Sequence, residues 1–188
     1  KPLQHIRAIT FDLDDTLYDN MPYIYEAEHC LAKRIKKHYP IASRISNSQW
    51  RDIRNSILAE QPALKNDISL LRATTLTKGF VMVGMPSDDI PHAVSDCYEY
   101  FYKKRSDFTV SKHVRKVLRK LSSIVPLAAI TNGNVNCEEI GIAKYFSYIA
   151  HACSELPMKP NPAMFEKVAA TLNIPSKNIL HVGDDLDK

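Results

Sequence analysis

The feature that most constrains the fold is an alternation of strands and helices that one long helical block interrupts. The β-branched, apolar segment Ile6–Leu13 predicts a buried strand near the start of the chain. Strand patterns then return only beyond residue 106. The later predicted elements are a helix at Ser111–Ser122, a strand at Pro126–Thr131, a helix at Glu138–Lys144, a strand at Tyr148–Ala152, a helix capped by Asn161 that begins at Pro162 and ends near Leu172, and a strand at Ile179–Val182. Because alternating strands and helices form parallel sheets, we predict an α/β core with a helical insertion after its first strand.

The insertion is predicted to be helical throughout. Its four helices are indicated by capping residues or an N-terminal proline ahead of each helical segment. They are Pro22–Tyr39, a helix opened by the capping box Ser46–Gln49 and ending near Glu60, a helix capped by Asp67 or Ser69 and ending near Val83, and a helix from Ser87 to about Lys104. We therefore predict a discontinuous core of residues 1–18 and 106–188 and a helical cap of residues 19–105.

The composition is that of an ordinary globular protein. The 188 residues are 45% hydrophobic and 24% charged, and a formal charge of +4 is too small to indicate nucleic acid or an anionic membrane as partner. No apolar run approaches the roughly 18 residues of a membrane span. The four cysteines form no Cys-x-x-Cys pair, and the charged start of the chain has no signal-peptide pattern. We expect a cytoplasmic protein with reduced thiols, whose oligomeric state the sequence leaves open.

One predicted helix carries a stripe of basic residues, a feature that also occurs at nucleic-acid interfaces. Lys112, Arg115, Lys116, Arg119 and Lys120 share one face of that helix. Apolar residues occupy the opposite face, so the solvent-exposed side of a helix that covers a sheet explains the stripe. We expect no binding to nucleic acid.

Polar side chains follow three of the predicted strands. The first strand ends in Asp12–Thr16, the second in Thr131–Asn134 and the last in Gly183–Asp185. Ligands of open parallel sheets bind outside the carboxyl ends of the strands, so we expect these groups to lie close together. Asp12 and Asp14 are two residues apart and point to the same side of an extended chain.

This acidic cluster indicates a cation. Two carboxylates about 4 Å apart repel each other by about 4 kcal/mol at an effective dielectric constant of about 20, and Asp184 adds a third negative charge. Hard oxygen ligands in a partial set favour Mg²⁺. The alternative for any single aspartate is that it caps a turn. A calcium-binding loop is excluded because Leu17 and Tyr23 stand where that loop needs Gly and Glu.

Four sequence motifs, in order, resemble those of the haloacid dehalogenase superfamily. Phe11–Leu17 is similar to the first motif, Ile130–Asn134 to the second, Lys159 within Met158–Pro162 to the third, and His181–Asp185 to the start of the fourth. The helical insertion after the first motif is similar to the helical, type C1 cap of that superfamily. The resemblance implies a doubly wound, Rossmann-like parallel core with an inserted all-helical cap.

The resemblance also implies catalytic roles. Asp12 would be the nucleophile that forms an aspartyl-phosphate, which divides one difficult displacement into two easier ones. Asp14 would protonate the leaving alcohol and then activate water. Lys159 would neutralise the negative charge that develops during phosphoryl transfer.

Binding roles follow from the same resemblance. Thr131, Asn132 and Thr16 would contact phosphate oxygens. The implied magnesium ligands are the carboxylates of Asp12 and Asp184 and the backbone carbonyl of Asp14, with Asp185 as an outer partner. Dehalogenases of this superfamily lack the second aspartate and need no metal, so the presence of Asp14 favours a phosphatase.

The expected substrate is a small phosphate ester. The blocks around the motifs are similar to those of the bacterial YigB-type phosphatases, a group associated with flavin mononucleotide and a phosphorylated riboflavin precursor. The resemblance therefore implies a Mg²⁺-dependent phosphomonoester hydrolase that acts on a soluble metabolite, with a flavin-pathway phosphate as the candidate substrate.

Two other functions remain as alternatives. A phosphoacceptor signalling domain also clusters aspartates, a threonine and a lysine on a doubly wound sheet, but the long cap and the Asp12–Asp14 spacing count against it. A relative that binds phosphate or a partner without catalysis stays open because the fourth motif is incomplete, since its next aspartate would fall at position 189. We accordingly expect the chain to lack the C-terminal end of its core.

Overall fold

The core of the protein is a parallel sheet. The computed structural model describes residues 5–185. Its strands are β1 (Ala8–Phe11), β2 (Leu127–Thr131), β3 (Tyr148–His151) and β4 (Ile179–Val182), in the spatial order β3-β2-β1-β4. The pairings β1–β2, β1–β4 and β2–β3 are all parallel. The prediction of a parallel α/β sheet is therefore confirmed.

Helices make up most of the remaining described chain. The α-helices are α1 (Met21–His38), α2 (Asn47–Glu60), α3 (Ile68–Met82), α4 (Ile90–Arg105), α5 (Lys112–Ser122) and α6 (Ala163–Leu172). Short 3-10 helices lie at Pro40–Arg44, Pro62–Asn66, Ala143–Tyr145 and Ser176–Asn178. Within residues 5–185, no helix combines the length and the apolar character that crossing a membrane requires.

The chain divides into two compact units. One unit comprises residues 21–106, which contain α1 to α4, and the other comprises the residues before and after this insertion. The sheet, α5 and α6 all belong to the second unit.

Both faces of the sheet are covered, as the strand β2 shows. Every residue of β2 is buried. Leu127 and Ala129 belong to an apolar cluster that includes Leu118 of α5, whereas Ala128 and Ile130 belong to a cluster formed with α6. Because successive side chains of a strand point to opposite faces, α5 and α6 lie on opposite sides of the sheet. This is the doubly wound arrangement that the sequence predicts.

The unit of residues 21–106 has its own apolar core. Leu31 of α1, Phe80 of α3 and Phe101 of α4 are buried together in one cluster. A polar contact also joins α1 to α4, since the guanidinium of Arg34 donates hydrogen bonds to the carboxylate of Asp96. This contact holds the pKa of Asp96 below its usual range.

Three helices begin at a capping side chain in the described part of the chain, and two of these caps were predicted. Ser46 and Gln49 form the capping box of α2, with each side chain accepting a hydrogen bond from the backbone of the other. Asp67, and not Ser69, caps α3 by accepting from the backbone of Leu70. Ser111 caps α5 in the same way.

The predicted helix at Glu138–Lys144 is wrong. The chain forms turns there, and only the 3-10 helix at Ala143–Tyr145 follows. Gly141 has a φ of 79°, a left-handed conformation that is incompatible with a right-handed helix. Ile140 and Ile142 are also both fully buried, although residues two apart lie on nearly opposite sides of an α-helix. Burial of both isoleucines is therefore incompatible with a helix in this segment.

Two helix starts also differ from prediction. The backbone N–H of Asp89 donates to the carbonyl of Pro86, which closes a turn before α4. The side chain of Asn161 accepts from the N–H of Ala163, which makes it the residue before the cap of α6 and not the cap itself. As a result, α4 begins at Ile90 and not at Ser87, and α6 begins at Ala163 and not at Pro162.

We predict that Gly79→Ala destabilises the unit of residues 21–106. A Cβ at Gly79 would lie 2.2 Å from Cζ3 of Trp50, and the indole is itself packed edge-on against Phe80. Overpacking of this kind costs about 1–3 kcal/mol. Urea unfolding followed by the fluorescence of Trp50, the single tryptophan, measures the change.

Thr77→Ala on the exposed face of α3 is the matched control. We expect its midpoint to stay near that of the wild type. An unchanged midpoint for Gly79→Ala would contradict the close packing of α2 on α3.

Candidate active site

The carboxyl ends of three neighbouring strands lie at one edge of the sheet. Phe11 of β1 pairs with Ala129 of β2 on one side and with Val182 of β4 on the other. The next residue, Asp12, donates its backbone N–H to the carbonyl of Val182 at 2.9 Å. The segments that follow β1, β2 and β4 therefore leave the sheet at the same edge.

An ion pair lies at the centre of this edge. The ammonium nitrogen of Lys159 is 2.7 Å from Oδ2 of Asp12, and Lys159 is only 2% exposed. The other carboxylate oxygen, Oδ1, accepts the backbone N–H of Leu13 at 2.8 Å. A buried ammonium requires such a partner, because the desolvation of an isolated charge costs several kcal/mol. The pair orients Asp12 and brings a positive charge next to it.

The side chain of Asn132 holds the backbone that carries Lys159. Its Oδ1 accepts the N–H of Lys159 at 2.7 Å, and its Nδ2 donates to the carbonyl of the same residue at 3.2 Å. The sequence predicts a phosphate contact for Asn132, whereas the structure shows both ends of its amide bound to Lys159. This positioning role was not foreseen, since it depends on a residue 27 positions away.

The turn after β2 is closed by Thr131. This residue is fully buried, and its hydroxyl oxygen accepts the N–H of Gly133 at 2.9 Å. A hydroxyl that accepts one hydrogen bond still has its own proton to donate. On the other side of the turn, Nδ1 of His151 at the end of β3 lies 3.1 Å from the carbonyl of Gly133. His151 is a second supporting residue that sequence reasoning missed.

Asp14 lies in a tight turn directly after β1. Asp15 has a φ of 60°, which is uncommon for a residue other than glycine, and its N–H donates to the carbonyl of Tyr18 at 2.9 Å. The turn brings the hydroxyl of Tyr18 to 2.6 Å from Oδ1 of Asp14, to which it donates. The sequence motifs did not indicate this contact of Tyr18.

Asp14 also contacts the turn after β2. A Cβ built at Gly133 would lie 2.3 Å from Oδ2 of Asp14 and 3.3 Å from the hydroxyl oxygen of Thr131. Only a glycine leaves room for the carboxylate at this point. The two predicted phosphate-handling segments are therefore in direct contact.

The remaining predicted ligands lie in the segments that follow β1 and β4. The hydroxyl of Thr16 donates to Oδ1 of Asp184 at 3.5 Å, so Thr16 contacts the acidic loop. Asp185 follows in the same loop. A Cβ at Gly183 would lie 3.7 Å from Cβ of Asp12, which places the start of this loop beside Asp12.

The donor set at this edge fits Mg²⁺. No group of three or more His, Cys, Asp or Glu side chains within residues 5–185 is arranged to hold a metal ion. The ligands implied by the sequence are instead two carboxylates and a backbone carbonyl, from Asp12, Asp184 and Asp14. All are hard oxygen donors, and Mg²⁺ characteristically combines one or two carboxylates with water and substrate oxygens.

Two further titratable groups near the site are unsuited to carry charge. Burial lowers the pKa of His181, the positive charge of Lys159 lowers it further, and Asp12 opposes the shift. His181 is therefore a neutral imidazole at neutral pH, with Nδ1 2.8 Å from the hydroxyl of Thr10. Burial raises the pKa of the Cys137 thiol to about 12, with a smaller contribution from Asp14. Cys137 is thus a thiol and not a thiolate nucleophile.

Comparison with known proteins identifies the family. The family model described as haloacid dehalogenase-like hydrolase matches residues 6–187. The chain belongs to the haloacid dehalogenase-like hydrolases. It is 32% identical over 186 residues to 5-amino-6-(5-phospho-D-ribitylamino)uracil phosphatase YigB of Escherichia coli, covering 99% of this chain and 78% of that protein. The resemblance inferred from the four motifs is confirmed.

Two further proteins are similar to this chain, one in sequence and one in both sequence and fold. A phosphoglycolate phosphatase of Neisseria gonorrhoeae is 28% identical over 97% of this chain and 73% of its own length. A solved structure of a 2-haloacid dehalogenase from Pseudomonas syringae pv. Tomato DC3000 has a TM-score of 0.91 and 31% identity, over 96% of this chain and 78% of that one. The family and its phosphatase members confirm the prediction that the chain is a phosphatase.

We predict that Gly133→Ala abolishes most activity without unfolding the protein. The added methyl group displaces the carboxylate of Asp14, and a misplacement of about 1 Å at a reacting group costs about 100-fold in rate. The φ of Gly133 is not positive, so the backbone itself tolerates alanine. Phosphate release from p-nitrophenyl phosphate and the melting temperature measure the two effects.

Gly183→Ala is the comparison variant. Its Cβ would meet Nε2 of His181 at 3.2 Å, a milder contact than that at Gly133, so we expect a smaller loss of activity. Wild-type turnover by Gly133→Ala would contradict the placement of Asp14 against this turn.

Proposed function

We propose that the protein hydrolyses the phosphomonoester of a small metabolite through an aspartyl-phosphate on Asp12. The observation that carries this proposal is the ion pair of Asp12 with the buried Lys159, with Asp14 in the adjacent turn and against the Thr131–Gly133 segment. A nucleophilic carboxylate, a fixed cation and a second carboxylate are the groups that phosphoryl transfer to an aspartate requires.

The proposed reaction has two steps. A carboxylate oxygen of Asp12 attacks phosphorus, the bond from phosphorus to the ester oxygen breaks, and Asp14 gives its proton to the leaving alcohol. Water then attacks the phosphoryl group and gives a proton back to Asp14, while the bond between phosphorus and Asp12 breaks to release inorganic phosphate. Lys159 offsets negative charge in both steps, and the proton of the Thr131 hydroxyl is available to a phosphate oxygen.

We assign Mg²⁺ to the carboxylates of Asp12 and Asp184 and the backbone carbonyl of Asp14, with Asp185 in the outer shell. When bound, the ion would neutralise phosphate charge and relieve the repulsion between the phosphate and the carboxylates. The contact of Thr16 with Asp184 supports this assignment, since it fixes one proposed ligand beside the loop that carries the others.

The proposed substrate is a riboflavin-pathway phosphate or flavin mononucleotide. The similarity to the phosphatase YigB, named for 5-amino-6-(5-phospho-D-ribitylamino)uracil, supports this choice over phosphoglycolate, whose named phosphatases are less similar to this chain. We place the activity in the cytoplasm, which agrees with four cysteines that form no disulfide.

A panel of phosphorylated metabolites, assayed with Mg²⁺ and after treatment with EDTA, tests the proposal. We expect Mg²⁺-dependent phosphate release, fastest with the riboflavin precursor or flavin mononucleotide. Asp12→Asn should lower kcat by at least about 10³-fold, as removal of a nucleophile does. Circular dichroism of the variant verifies that it is folded.

Two results would contradict parts of this proposal. Substantial Mg²⁺-dependent turnover by Asp12→Asn would overturn the assignment of the nucleophile. A folded wild-type protein that is inert toward every ester would favour the alternative of a binding protein without catalysis.

Halide displacement is a second candidate, because one similar structure is that of a 2-haloacid dehalogenase. A halide leaves without needing a proton, whereas an alkoxide needs one, so the presence of Asp14 favours the ester. We expect no halide release from L-2-chloropropionate under conditions in which phosphate esters are hydrolysed. Halide release that persists in EDTA would instead support a dehalogenase.

A further inference from the structure

The side chain of Tyr18 is hydrogen-bonded to that of Asp14, the proposed acid–base residue. The hydroxyl of Tyr18 donates to Oδ1 of Asp14 at 2.6 Å, in a partly buried setting. A hydrogen bond to a carboxylate that is this short is a strong contact. It reaches the group that, under the proposed function, both gives and takes the proton.

We propose that Tyr18 is the positioning residue of the acid–base step. Its hydroxyl holds Oδ1 of Asp14, so that Oδ2 is the oxygen directed at the turn after β2. This inference rests on the proposed function, in which that turn binds the phosphoryl group and Oδ2 exchanges the proton with the leaving alcohol.

The backbone around Tyr18 fixes the position of its side chain. Asp14 and Tyr18 form an isolated parallel bridge, and the N–H of Asp15 donates to the carbonyl of Tyr18 at 2.9 Å. The N–H of Leu17 donates to the carbonyl of Leu13, also at 2.9 Å. The left-handed conformation of Asp15 reverses the chain between these contacts. The turn therefore presents Tyr18 to Asp14 through several backbone hydrogen bonds.

The aromatic ring of Tyr18 has packing contacts of its own, in addition to the hydrogen bond made by its hydroxyl. It packs edge-on against Phe108, with ring centroids 4.9 Å apart, and both rings lie against the apolar cluster that contains Leu13 and Leu17. Such aromatic pairs contribute stability beyond the area they bury. Removing the hydroxyl alone should therefore leave the ring in place and remove its hydrogen bond to the carboxylate of Asp14.

The other oxygen of Asp14 faces the groups that would receive the phosphate. The space beside Gly133 that Oδ2 occupies is also close to the hydroxyl oxygen of Thr131, as the 2.3 Å and 3.3 Å distances from a Cβ built at Gly133 show. Because Oδ1 accepts the hydrogen bond from Tyr18, the proton of the acid form of Asp14 is carried by Oδ2, the oxygen that faces this turn. The hydroxyl of Tyr18 thus selects the oxygen that carries the proton.

The experiment compares two substrates on Tyr18→Phe. An alkyl phosphate needs a proton on its leaving alcohol, whereas p-nitrophenolate leaves with little assistance. The constant kcat/KM reports steps only up to release of the alcohol, so later hydrolysis of the aspartyl-phosphate does not affect it. We expect kcat/KM to fall about tenfold for the alkyl ester, part of the full contribution of a general acid, and less than about twofold for p-nitrophenyl phosphate.

The decisive quantity is the ratio of the two kcat/KM values measured on one preparation. This ratio does not depend on the fraction of folded enzyme, so it remains informative even if Tyr18→Phe is less stable. Tyr145→Phe is the matched control: it removes a buried hydroxyl from the same apolar cluster, and that hydroxyl has no hydrogen-bond partner within residues 5–185. We expect the wild-type ratio for this control.

The outcomes separate this inference from the proposed function. If wild type hydrolyses both esters and the ratio is unchanged in Tyr18→Phe, the positioning role is wrong and the phosphatase proposal stands. An equal loss on both substrates also overturns the role, because it would indicate a general structural effect. A wild type inert toward both esters overturns the proposed function and this inference with it.

Discussion

The ion pair between Asp12 and Lys159 is the contact on which the rest of the site depends. Lys159 follows Asp12 by 147 positions, yet its ammonium is almost completely removed from water. An unpaired ammonium in that place would cost several kcal/mol, so the end of β1 and the segment around Lys159 stabilise each other. The same contact leaves a carboxylate with a fixed orientation beside a fixed positive charge, an arrangement that suits the nucleophilic attack we propose.

Around this pair, side chains hold the backbone of neighbouring loops. Asn132 binds the backbone of Lys159, Thr131 closes its own turn, and His151 reaches the carbonyl of Gly133. The contacts of Asn132 and His151 join the segment that follows β2 to the neighbouring strand β3 or the segment after it, whereas that of Thr131 lies within one turn. Because β2 is buried on both faces, these loops start from a rigid sheet and their side chains are placed with little freedom.

Local signals account for most of what the sequence predicts correctly. The strands, the capping box at Ser46 and the order of the helices depend on residues within a few positions of each other, and such patterns are visible in the chain. The prediction of a helix at Glu138–Lys144 was wrong because the course of this backbone depends on contacts with the core and not on local sequence pattern. Ile140 and Ile142 both enter the core of the sheet unit, and Gly141 permits the backbone that this demands.

The sequence by itself determined the chemical groups of the site and the sheet edge at which they lie. The two-residue spacing of Asp12 and Asp14, and the polar residues after each strand, are properties of the linear chain. Only the tertiary structure decided which group touches which. Asn132 binds Lys159, Tyr18 binds Asp14, and Gly133 leaves room for a carboxylate, because hydrogen bonds and close contacts require distances that only folding sets.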